Sequence, residues 1–112
     1  MSTSEREVAR YLAWPFAGGR FPDNLGAVIQ RTVLSGERPA RLVIHDSKND
    51  WCVGDGVSDP NAPDACVAAH IGHVIAWNSS VAELATLPPG WEAWRDGPGQ
   101  PWQRSAHEYP DE

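Results

Sequence analysis

The chain has 112 residues, enough for one hydrophobic core in a single domain spanning 1–112. An apolar share of 41% beside 21% charged residues fits a folded protein and excludes a disordered tail. A net charge of −6 argues against nucleic acid, which is held by basic patches; it suits a cationic partner or simply keeps the chain soluble.

In chain order, Ser4 and Glu7 stand at capping-box spacing and predict an N-terminal helix within 1–13. Trp14-Pro15 ends it, because proline disfavours helical geometry in the residue before it. After a Gly/Pro-rich loop, Val28, Ile29, Val33 and Leu34 are spaced for strand or helix alike, with strand favoured near Val28 and Ile29. Leu42, Val43 and Ile44 make 40–45 the clearest strand, and Trp51-Cys52-Val53 returns after the turn DSKND, so 40–53 is expected to be a β-hairpin. Asp64 caps an expected helix over 65–76, where Val67, Ile71, Val74 and Ile75 repeat at helical spacing. Ser80 and Glu83 form a second capping box for a short helix that stops at Pro88-Pro89-Gly90. Trp91 to Arg95 reads as a strand, Trp102 to Arg104 as a last short one, and 105–112 as a flexible polar tail. The fold class expected is α+β, a small antiparallel sheet with the central amphipathic helix packed on one face.

Two cysteines are too few for a disulfide-stapled secreted domain, and neither lies in a CxxC motif. The charged N-terminus is not a signal peptide, and no run approaches the roughly 20 apolar residues that span a bilayer. A cytoplasmic protein with reduced thiols and no membrane contact is the expectation.

On a helix over 65–76, Cys66, His70, His73 and Trp77 would share one stripe. Thiol and imidazole at that spacing are zinc ligands, and Cys52 offers a fourth, although no zinc-finger spacing is present. The same residues allow a Cys66–His70 nucleophile, with no orienting third group and no oxyanion hole. The simpler reading is a half-buried helix flank with no cofactor. Asp46, Asp50, Asp55, Asp59 and Asp64 crowd the middle of the chain against Lys48 alone. They do not form a calcium loop, since Trp51 and Val57 occupy the positions of its glycine and its final glutamate. The aspartates read either as turn residues or as an acidic surface for a basic protein. Trp91, Trp94 and Trp102 beside Arg95 and Arg104 read either as interface anchors or as cation–π pairs in the core.

HDSKNDWCVGDG, a helix, and then SSVAELATLPPGWEAWRDGPGQPWQR resemble a pattern of small uncharacterised bacterial proteins over residues 27–104. Through the acidic residues before Trp51, Gly54 after it and the following helix, that pattern is similar to a domain family grouped with immunity proteins of bacterial toxin systems. The chain departs from it at Trp51-Cys52-Val53, where a bulky aromatic is expected two places after the tryptophan, and at Asn78-Ser79, where Asp-Pro is expected. The resemblance implies a binding protein that neutralises a basic toxin by direct contact, and it transfers no catalytic residue. The contact residues expected are Asp46, Asp50, Trp51, Asp55, Asp59, Trp91, Trp94 and Arg95. The alternative is a small zinc or thiol enzyme using Cys66, His70 and His73. The oligomeric state is left open.

Overall fold

A computed structural model describes residues 14–59 and 61–106; the helix expected within 1–13 and the tail beyond 106 lie outside the described residues. Six strands form one sheet: β1 Gly26–Gln30, β2 Leu42–His45, β3 Trp51–Gly54, β4 Cys66–His70, β5 Trp91–Trp94 and β6 Gln103–Ala106. The spatial order is β4-β1-β3-β2-β5-β6. All neighbours are antiparallel except β1 and β3, which run parallel with Val28 opposite Cys52. The sheet is therefore mixed and larger than the small antiparallel sheet expected. Its parallel pair arises because the β2–β3 hairpin folds back into the place beside β1 instead of extending the sheet outward.

The helical segments are short: α1 Arg31–Leu34, α2 Ile71–Trp77 and 3-10 stretches at Ala17–Gly19 and Ser79–Thr86. None is long and apolar enough to cross a membrane. The expected helix over 65–76 is divided. Its first half is strand β4, paired over its whole length with β1, and only 71–77 is helical. The apolar pattern fits both conformations, because Val67 and Ala69 alternate toward the core while Ile71 and Val74 continue at helical spacing. The five-residue ladder on β1 satisfies this backbone and decides the outcome. Asp64 does not cap; it sits in a left-handed turn at φ 61° before β4. The second capping box does not form either, and Ser80 instead accepts a hydrogen bond from Arg95 Nη1.

One face of the sheet carries the core. Ala27, Ile29, Val43, Trp51, Val53 and Ala93 point toward it and meet Val33, Ile71, Val74, Val81, Leu84 and Leu87 from the helical segments. Trp51 is the largest wholly buried side chain, stacked on His45 at 3.8 Å and edge-on to Phe21 at 4.9 Å. His45 is held in turn: Nδ1 donates to the Leu87 carbonyl at 2.6 Å, and Nε2 lies 2.6 Å from the Asn49 side-chain amide. Buried Asn78 ties α2 to the sheet, accepting from Ala40 N–H at 3.0 Å and donating to Val74 O at 3.2 Å. The last strand includes Ser105 and Ala106, so the part of the expected tail that is described is ordered sheet.

Candidate functional site

Strand alternation places the remaining side chains on the opposite face, in rows fixed by register. One row runs Glu92, Ile44, Cys52, Val28, Ala68 across β5, β2, β3, β1 and β4. The row toward one end is Trp94, Leu42, Gly54 on one side and Gln30, Cys66 on the other. Toward the hairpin the ladder continues through Asp46, whose N–H bonds Asp50 O at 2.9 Å, so both aspartates extend this same face. Val28 is 41% exposed and Trp94 43%. No helical residue lines the three cavities of this face.

These cavities form one trough. The central one, of about 450 Å3, is floored by Val28, Leu42, Ile44, Cys52 and Cys66. It shares Val28 and Cys52 with a cleft of about 310 Å3 that ends at Asp46 and Asp50. It shares Leu42 and Gly56 with a third hollow beside Arg41, Glu92 and Trp94. An apolar floor of this size with a few polar groups at its margins is a common form of binding site.

The wall formed by the loop after β3 is fastened from below. Gln30 Oε1 accepts from Asp55 N–H at 2.6 Å, and Gln30 Nε2 donates to Ser58 O at 3.1 Å. The Asp55 carboxylate is wholly buried and accepts from Thr32 Oγ1 at 2.6 Å and from the Val57 and Ser58 N–H groups at 2.8 and 2.7 Å. Burial alone pushes this carboxyl up, but the hydrogen bonds from Thr32, Ser58 and Val57 outweigh it and hold it down at about 2. A Cβ at Gly54 would lie 2.8 Å from Gln30 Oε1 and would push that side chain off its bonds to the loop.

Of the residues expected to contact a partner, the structure brings Asp46, Asp50 and Trp94 to the open face. Asp46 is also a turn residue: Oδ1 accepts from Lys48 and Asp50 N–H, both at 2.9 Å. Asp59 is exposed on the loop and caps its own turn through Asn61 N–H at 2.9 Å. Trp91 is 39% exposed, but its register opposite His45 puts it on the other side of β5. Three expectations are corrected. Trp51 is 1% exposed and belongs to the core. Asp55 is buried and spends its carboxylate on the loop. Arg95 is 2% exposed, donates to Ala40 O at 3.0 Å and lies 4.2 Å above the Trp102 ring. All three sit where strand alternation and long-range packing turn them inward.

The stripe of Cys66, His70 and His73 is likewise corrected. Cys66 and His70 lie on one strand, where four residues span roughly 13 Å, so the thiol and imidazole are not neighbours. His73 is on α2, with its ring parallel to that of His70 at 5.8 Å between centroids. Among the described residues no group of three His, Cys, Asp or Glu side chains is placed to hold a metal ion. Neither Cys52 nor Cys66 forms a disulfide. Burial, then the charges of Asp46 and Asp50, then Cys66, push the Cys52 thiol up to about 11, which opposes a nucleophilic thiolate.

Sequence reasoning missed Val28, Leu42, Ile44 and Glu92 as site residues, and it considered Cys52 only as a zinc ligand. Leu42-Val43-Ile44 reads as one apolar run, and no local signal separates the inward Val43 from its outward neighbours. Comparison with protein-family models, with curated proteins and with solved structures finds no match.

Proposed function

We propose that the protein is a binding protein that captures a basic protein partner on the open face of its sheet, in the manner of an immunity protein that neutralises a toxin by direct contact. The observation that carries this reading is the apolar trough, left open by the described residues, that runs into the carboxylates of Asp46 and Asp50, with Glu92 in the adjoining row. Apolar floors supply affinity on association, and carboxylates at one end of the floor steer a partner of opposite sign. The net charge of −6 acts in the same direction at long range. The resemblance over residues 27–104 agrees with such a role. A cytoplasmic setting, in which Cys52 and Cys66 stay reduced, fits two thiols on a contact surface.

The test is affinity capture from the source cells with the wild type and with Ile44→Asp and Val28→Arg. The wild type retains a basic protein at stoichiometric ratio, and both variants lose it while their circular dichroism is unchanged. A variant with His73 on α2 replaced by Ala keeps the partner, whereas a zinc or thiol enzyme using Cys66, His70 and His73 loses its activity. A partner that binds Ile44→Asp and Val28→Arg undiminished places the interface elsewhere and refutes the reading.

A further inference from the structure

The trough has a direction. Its hairpin end carries Asp46 and Asp50, and its far end carries Arg41, whose Nε donates to Arg95 O at 3.2 Å. The outward positions of the six strands hold Glu92 and neither lysine nor arginine. A cation therefore meets two carboxylates at the hairpin end, whereas at the far end Glu92 shares its hollow with Arg41. Between the ends, successive rows of the floor are two residues apart in register, from Leu42 to Ile44 to Asp46 along β2 and its extension.

We propose that the occupant of this face is an extended segment of the protein partner, laid along β2 and β3, with two apolar side chains at positions i and i+2 and an arginine or lysine at i+4. This deepens the docking reading above and rests on it. An extended chain turns every second side chain to one side, roughly 6.6 Å apart, which is the spacing of the rows beneath it. The first apolar side chain enters the cavity of about 450 Å3 near Leu42 and Cys66. The second lies over Ile44, Cys52 and Val28. The third side chain passes its aliphatic stem over the Val28 and Cys52 margin and sets its cationic head between Asp46 and Asp50 in the cleft of about 310 Å3. A long stem with a charge at its tip matches a floor that turns from apolar to acidic within two residues, as a compact cation does not. The field of these carboxylates reaches the floor itself, since both raise the Cys52 thiol. A second copy of the chain is disfavoured as occupant, because it would set the same carboxylate-bearing face against this one in a molecule of net charge −6.

The probe is an end-blocked peptide, Leu-Ser-Val-Ser-Arg-Ser, titrated by calorimetry at low salt against the full chain, with Gln and Glu peptides in place of Arg as controls. The Arg peptide binds, the Gln peptide binds roughly tenfold more weakly, and the Glu peptide more weakly still. Asp46→Asn with Asp50→Asn removes the difference between Arg and Gln; asparagine keeps the acceptor that holds the hairpin turn, and circular dichroism checks the fold. Equal binding of Arg and Gln peptides to the wild type, or no binding of any peptide, overturns the proposal. If the whole partner is still lost from Ile44→Asp while no peptide binds, the docking face stands and the segment is wrong. If the partner ignores Ile44→Asp, the docking reading itself has failed.

Discussion

Replacing Asp55 by Asn probes the wall of the trough and gives a pH signature that packing alone does not produce. The carboxyl is held at about 2 in the folded chain against 3.8 for the unperturbed group. A difference near two units corresponds to about 2 kcal/mol of folding stability. Because the folded value is the depressed one, this stabilisation is complete above pH 4 and is lost as pH falls through 2. Asparagine retains an oxygen for the Val57 and Ser58 N–H groups but removes the charge and alters the bond with Thr32 Oγ1. Urea unfolding of both proteins between pH 7 and pH 2 is the assay. The wild type is expected to exceed Asp55→Asn by about 2 kcal/mol at neutral pH, or about 8 °C in Tm, and the gap should close between pH 4 and pH 2. A gap that persists undiminished to pH 2 would show that the ionised carboxylate is not what fastens the loop.

Gly54→Ala forces Gln30 aside, releasing its bonds to Asp55 and Ser58, and should cost about 1–2 kcal/mol in urea unfolding. In a Gln30→Ala background the same change should cost much less, since the clash has been removed, and fully additive losses would contradict the geometry. Trp51→Ala should lower stability by about 3–5 kcal/mol, a folding defect seen in near-ultraviolet circular dichroism without any partner present. Arg95→Met leaves Ala40 O and Ser80 Oγ without their donor and should cost about 2–4 kcal/mol, measured by thermal unfolding; a loss below 0.5 kcal/mol, roughly that of a surface site, would refute its buried role. With Cys66 replaced by Ser, Cys52 should react with iodoacetamide at pH 8 roughly a hundredfold more slowly than a free thiol, and Asp46→Asn with Asp50→Asn should speed it.

The hairpin was legible because its signals are local: β-prone runs at Leu42–Ile44 and Trp51–Val53 flank a turn whose Asp46 carboxylate collects two N–H groups. The strand at Trp91–Trp94 and the stop at Pro88-Pro89-Gly90 were legible for the same reason. The segment 66–70 was not. Its apolar spacing satisfies helix and strand alike, and its conformation is chosen by hydrogen bonds to β1, some forty residues earlier in the chain. With that choice the histidine stripe dissolved, because Cys66 and His70 are spread along β4 while His73 and Trp77 lie on α2.

The sequence by itself determined the acidic charge, the hairpin, the turn role of Asp46 and an α+β composition, all of which follow from residue type and near-neighbour spacing. Only the tertiary structure decided which tryptophans are buried, that Asp55 and Arg95 face inward, and that Val28, Leu42, Ile44 and Cys52 line an open trough. Those outcomes depend on which face of the sheet the helical segments cover, and a strand's alternation gives two faces without saying which one will be packed.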